Sequence, residues 1–191
     1  DHEMFKDIAK NGIKALVCDS TNVFSMHPGR SEATLKTSIA ELIAKAPAMV
    51  VATTFASNVA RLRTLAEAAT NSGRSICLMG RAMRKMVQAG LETGVLDDFP
   101  TVVSSDEAQD IPRQNLMLLC TGSQGERRAA IAQLANGKFQ GISLKEGDMV
   151  LFSSSTIPGN ERDVIRIMNQ FSEQGVDVVT DRMGDYHVSG H

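Results

Sequence analysis

Short apolar runs alternate along this chain with longer stretches in which apolar residues recur every three or four positions. The runs Ile13–Cys18, Met49–Thr54, Ser75–Met79, Thr101–Val103, Leu116–Cys120, Met149–Phe152 and Val176–Val179 have the length and composition of buried strands. Between them lie helical patterns. Ser31–Lys45 puts Leu35, Ile39, Leu42 and Ile43 on one face, and Asn58–Ala69 does the same with Val59, Leu62, Leu65 and Ala66. Arg81–Ala89, Glu126–Ala135 and Glu161–Phe171 are further predicted helices. Asn136–Asp148 is short, polar and glycine-bearing, and predicts a loop or hairpin excursion.

Strands that alternate with helices of this length imply βαβ units. The expected fold class is α/β: three αβα layers around a mainly parallel, doubly wound, Rossmann-like sheet, with residues 1–191 forming a single domain. In such a sheet every strand ends on the same edge, and ligands bind beyond that edge.

Composition narrows this reading little. The chain has 191 residues, 42% hydrophobic and 22% charged, with a net charge of −2. That is ordinary for a globular domain, and the overall charge does not advertise a nucleic-acid partner. No apolar run approaches a membrane span and no signal peptide opens the chain, so no membrane partner and a cytoplasmic location are expected. Cys18, Cys77 and Cys120 are odd in number and widely spaced, and each closes an apolar run. They read as small buried residues at strand ends, not as a disulfide or zinc framework.

The candidate chemistry sits at the strand ends, which are polar and small. Asp19-Ser20-Thr21-Asn22 follows the first predicted strand, Thr53 to Asn58 the second and Gly80-Arg81 the third. Thr121-Gly122-Ser123-Gln124-Gly125-Glu126 follows the fifth, and Ser153 to Glu161 the sixth. A strand, a Gly or Ser turn and a helix start together expose unpaired backbone N–H groups at the positive end of a helix dipole. Such turns make an anion pocket, to which hydroxyls and Arg81 would add donors. The same residues also serve simply as helix caps. None of the turns matches GxxxxGK(S/T) or GxGxxG.

Arg61, Arg63, Arg81, Arg84 and Lys85 cluster near two helix starts, as either a solvated face or a basic rim for a nucleic-acid backbone. His2 and His27 suggest no role. His187 and His191 are four apart, but Gly190 argues against a helix there, and no HExxH or HxHxDH occurs, so no complete metal site is expected in this chain. Asp19 is either a functional carboxylate or a turn-former. The methionines Met83, Met86, Met117, Met149 and Met168 read as core.

Taken in order, six segments resemble the β-CASP domain of the ribonuclease J family of metallo-β-lactamase-fold nucleases. They are Leu16 to Asn22, Phe55 to Asn58, Gly80 to Met83, Cys120 to Glu126, Ser154 to Glu161 and His187 to His191. The resemblance implies a parent enzyme that hydrolyses RNA phosphodiesters with two zinc ions. It would trim RNA from a 5′-monophosphate end, cut internally, or do both. Its partners would be RNA, especially 5′-monophosphorylated single strands, the host metallo-β-lactamase domain and a second copy of the parent.

By the same resemblance Asp19 and His191 pair beside the metals, with the histidine protonating the leaving oxygen. Ser57, Gly80, His187 and Ser189 match the 5′-phosphate pocket, and Asn58, Arg81 and Ser123 adjoin it. The family's HxHxDH and PxHGE-like segments are missing from the sequence, so the chain reads as an insertion taken out of its host, inactive alone. An insertion leaves its host where it entered, so Asp19 and the tail near His187 are expected to be close. Two readings of other classes stay open. One is a stand-alone doubly wound module for a nucleotide or sugar phosphate, and the other is a scaffold role in a degradation complex.

Overall fold

A computed structural model describes residues 2–26, 29–137 and 139–189. The chain divides into two compact units, one formed by Asp1–Gly29 with Ser189–His191 and the other by Arg30–Val188.

The smaller unit begins with helix α1 (His2–Ala9), which carries no buried residue. The strand expected over Ile13–Cys18 is not formed: among the described residues these have no ladder partner, and Leu16 and Val17 are 82% and 96% exposed. An apolar run becomes a strand only where a neighbour satisfies its backbone groups, and none does here. Cys18 is therefore exposed, against the expectation of burial. Asp19 follows no strand, and its Oδ1 accepts a 2.7 Å bond from Thr21 N, a local turn of the kind Asp favours.

The larger unit is built in order from α2 (Lys36–Lys45), β1 (Val50–Thr53), α3 (Val59–Asn71), β2 (Ser75–Met79), α4 (Arg81–Glu92), β3 (Val102–Val103), α5 (Ser105–Asp110), β4 (Leu116–Cys120), α6 (Ala130–Ala135), β5 (Met149–Phe152), α7 (Glu161–Glu173) and β6 (Asp177–Val179). Its six strands form one sheet in the order β3-β2-β4-β1-β5-β6, and every pairing is parallel. The doubly wound α/β expectation holds.

Side chains alternate across the sheet, so each strand feeds two cores. Val50 and Ala52 face α2, α3 and α4, meeting Leu35, Ile39, Leu62, Leu65 and Met83. Val51, Leu118 and Phe152 face α5, α6 and α7, meeting Ile131, Leu134, Val164, Ile167 and Phe171. Burial of a side chain such as Phe152 or Phe171 contributes about 1.5–3 kcal/mol. Helices thus cover both faces and leave the strand ends as the accessible edges.

Local chemistry sets several boundaries. The Ser31 hydroxyl caps a 3₁₀ turn, Glu32–Leu35, which leads into α2. The helix expected from Glu126 starts only at Ala130, after Ala129 in extended conformation. Polar α5 lay outside the predicted pattern and is held by a Ser104–Glu107 capping box. The excursion after α6 contains an antiparallel bridge between Phe139 and Ile142. At the sheet's opposite edge Asp148, fully buried, accepts from Met49 N and Lys145 N and pairs with Arg113.

Candidate phosphate-binding edge

Four central strands end at one level. Met79 of β2 is in register with Cys120 of β4, Cys120 with Thr53 of β1, and Thr53 with Phe152 of β5. Gly80, Thr121, Thr54 and Ser153 are therefore the first residues beyond the sheet on adjacent strands. At a strand spacing of ~4.8 Å they form a rim on the order of 15 Å long.

Each strand leaves this rim by a different device. After β1, Thr54 Oγ1 donates to the Ser153 carbonyl at 3.2 Å, and Ser57 is exposed just ahead of α3. Asn58 Oδ1 accepts from Arg61 N at 3.0 Å, so Asn58 caps α3 and its side-chain oxygen is engaged. After β2, Gly80 opens α4 with φ 93° and no side-chain cap, and Arg81 is exposed at the first helical position. A glycine suits that left-handed φ and leaves the first N–H groups of α4 unscreened by a side chain.

After β4 the chain turns tightly through Gly122 at φ 110° and Gly125 at φ 83°, with Ser123 buried between Gly122 and Gln124. Gln124 ties this turn to the one after β5. Its Nε2 donates to Ser155 O at 3.0 Å, and its Oε1 accepts from Ile157 N at 2.8 Å. Ser155 Oγ in turn donates to Asp181 Oδ2 at 2.5 Å.

Arg61 organises the remaining end. Its side chain is fully buried, on the face of α3 that also carries Leu65 and Ala69. Nε pairs with Glu32 Oε1, and Nη2 donates to Glu32 Oε2 at 3.0 Å. Nη1 donates to Ser153 O at 2.6 Å, Ser153 Oγ at 2.8 Å and Tyr186 O at 3.2 Å, and lies 3.4 Å from His187 Nδ1. Ser153 Oγ also donates to Tyr186 O at 2.7 Å. The expected solvated face or basic rim is thus wrong for Arg61. Arg63 instead pairs with Asp98, and Arg84 bonds Leu78 O and Gln140.

His187 is half-buried, and its pKa lies below the usual imidazole value. Burial is the main cause and the Arg61 charge the next, partly opposed by Asp181, Glu32 and the Ser153 carbonyl. The ring is therefore neutral at pH 7.

Ser57, Asn58, Gly80, Arg81, Ser123 and His187 accordingly all belong to the strand-end side of the larger unit. Asp19 and Ser189 belong to the smaller one, where Asn22 Nδ2 donates to Ser189 Oγ at 3.1 Å. His191 lies outside the described residues, as does His27.

Sequence reasoning passed over Glu32, named Gln124 and Ser153 only as turn residues, and placed Arg61 wrongly. One signal was available: Arg61 sits at i and i+4 spacing with Leu65 and Ala69, in the middle of the buried stripe. Among the described residues no group of three or more His, Cys, Asp and Glu side chains could hold a metal ion, so zinc does not fit this part of the chain. No helix among them is long and apolar enough to cross a membrane.

A parallel sheet with small polar turns and the N-termini of three long helices, α3, α4 and α7, at its strand ends defines the class of doubly wound α/β domains, in which ligands bind beyond the strand ends. Comparison with known proteins makes this specific. Residues 48–171 match the family described as "Ribonuclease J, beta-CASP domain". The chain is 41% identical over its whole length to Ribonuclease J of Sinorhizobium meliloti, covering 34% of that protein. It is 36% identical over its whole length to Ribonuclease J 1 of Streptococcus pyogenes, again covering 34%. Against Ribonuclease J of Mycolicibacterium smegmatis it is 37% identical over 94% of its length, covering 32%. The chain belongs to the ribonuclease J β-CASP family, and spans about a third of the length of these curated relatives.

Proposed function

We propose that this chain is the RNA-binding and substrate-positioning part of a zinc-dependent ribonuclease. The observation that carries the reading is the level rim of strand ends: it offers Ser57, the start of α4 at Gly80 and Arg81, and Ser123 on adjacent strands, in a domain of this family. A 5′-monophosphate would take donors from the Ser57 and Ser123 hydroxyls, the first N–H groups of α4, Arg81 and the neutral His187 ring. Asn58 contributes by fixing the start of α3.

Asp19, Ser189 and His191 complete the reading, with Asp19 and His191 as the pair that handles the leaving-group proton and Ser189 at the phosphate pocket. The close Asn22–Ser189 bond supports it, because an insertion needs its two ends together. Every described residue from 2 to 26 is exposed, including Met4, Phe5, Ile8 and Phe24. That apolar surface suits packing against a host metallo-β-lactamase domain, which would hold both zinc ions. Cytoplasmic RNA decay and a homodimer of the parent are part of the same proposal.

A fluorescence titration of the chain with 5′-monophosphorylated and 5′-hydroxyl oligoribonucleotides tests this. Preferential, salt-sensitive binding of the phosphorylated strand is expected. Tight, salt-insensitive binding of a mononucleotide or sugar phosphate with no preference among oligomers would favour a stand-alone small-ligand module instead. Zinc-dependent RNA cleavage by the chain alone would overturn its assignment as the non-metal part.

A further inference from the structure

Arg61 carries a permanent charge in full burial, which is costly unless every donor is matched. Glu32 supplies a bidentate partner, yet Nη1 faces away from that pair toward Ser153 O, Ser153 Oγ, Tyr186 O and His187 Nδ1. These acceptors belong to the end of β5 and to the segment that bears His187. The Arg61 cation 3.4 Å from Nδ1 disfavours a proton on that nitrogen and favours a bare acceptor there. The neutral ring then carries its proton on Nε2.

We propose that Arg61 is the positioning residue of His187: it fixes the Tyr186–His187 segment against the end of β5 and keeps Nδ1 bare, leaving Nε2–H as the ring's single donor for an anionic ligand. This rests on reading His187 as part of the phosphate pocket. Arg61 itself is fully buried and acts only through the ring. Lysine could not replace it, because one ammonium cannot grip both Glu32 oxygens and still reach Ser153 and Tyr186.

The ring nitrogen shifts of His187, measured by NMR on the unaltered chain, give the first test. Nδ1 is expected unprotonated and Nε2 protonated; the opposite tautomer overturns the proposal. The second test is the preference for 5′-monophosphorylated over 5′-hydroxyl oligoribonucleotides in His187→Ala and Arg61→Lys. Both are expected to lose about tenfold of it, and Arg61→Lys also to populate the Nδ1–H tautomer.

An unchanged preference in His187→Ala sinks the phosphate reading, and this proposal with it. Loss in His187→Ala but not in Arg61→Lys sinks only the role of Arg61. Should Arg61→Lys fail to fold, Ser153→Ala removes the hydroxyl that bridges Arg61 and the Tyr186 carbonyl. It is expected to lose part of the preference, and an unchanged value there overturns the proposal.

Discussion

Asn22 Nδ2 donates to Ser189 Oγ at 3.1 Å, joining residues that are 167 apart in sequence. The bond is exposed, so its net contribution is at most about 1 kcal/mol. It belongs to a unit in which every described residue from 2 to 26 is exposed. Those described residues lack the apolar burial that orders a chain segment.

Removal of residues 1–29 should therefore leave the sheet unit's thermal midpoint within about 2 °C of the longer chain. Differential scanning calorimetry measures this. A large fall would mean that the first residues are part of the folding core. Backbone amides of 2–26 should also exchange far faster than those of β1, β4 and β5.

The thiols divide the same way. Cys18 is exposed, whereas burial pushes the Cys77 thiol up to about 11 and the Cys120 thiol up to about 12. One equivalent of an alkylating reagent should be consumed quickly by the native chain at pH 8, with the modification mapping to Cys18. Rapid reaction at three sites would show that the sheet opens readily.

The cysteines also show how far the sequence could be read. Met49–Thr54, Ser75–Met79, Leu116–Cys120 and Met149–Phe152 have the continuous apolar character of strands buried on both faces, and they became β1, β2, β4 and β5. Ile13–Cys18 has the same local character but no strand partner among the described residues, and pairing is a tertiary property that composition does not reveal. Helix α5 was legible only through its caps, because its sequence SDEAQD lacks an apolar stripe. At the site, the turn residues announced the edge, but the Arg61 network joins Glu32, Ser153, Tyr186 and His187 across distant segments. Only α3's buried face hinted that Arg61 points inward.

Arg113 and Asp148 anchor the edge opposite the rim. Asp148 is fully buried and bonds Met49 N at 3.1 Å and Lys145 N at 2.9 Å as well as Arg113. Asp148→Ala should lower stability by about 3–5 kcal/mol, since it strands a cation and two backbone donors. Urea denaturation gives the value. A loss under about 1 kcal/mol would mean that water replaces the carboxylate readily.

His187 gives the larger unit a pH dependence of definite sign. Its unfolded value is 6.5 and its folded value is lower, chiefly through burial and then through Arg61. Between the two values the unfolded chain binds more protons, so stability rises with pH there. The contribution is complete above pH 6.5 and is lost as pH falls through the folded pKa. His187→Gln should flatten this part of the stability profile, measured by denaturation at a series of pH values from 7.5 down to 4.5. An unchanged slope in the variant would show that other groups carry it.

Gly125 tests whether the two turns of the rim are held together by close approach. It has φ 83°, and an added Cβ would stand 2.6 Å from the Asp163 carbonyl carbon and 2.8 Å from Val164 N. The neighbouring atoms are α7 backbone, which cannot rotate aside as a flexible side chain could. Gly125→Ala therefore combines an unfavourable left-handed φ with displacement of the first turn of α7, for a loss of at least about 2 kcal/mol. The displacement should also break the bonds from Gln124 to Ser155 and Ile157, because Gln124 is the adjacent residue. Gly137→Ala is the control: its φ is 117°, but a Cβ there meets nothing within 4 Å, so only the backbone strain remains. Chemical shifts of Ser155–Asn160 should move in Gly125→Ala and stay put in Gly137→Ala. Equal perturbation by both would mean that strain alone, not the packing of the β4 turn on α7, sets the spacing of the rim.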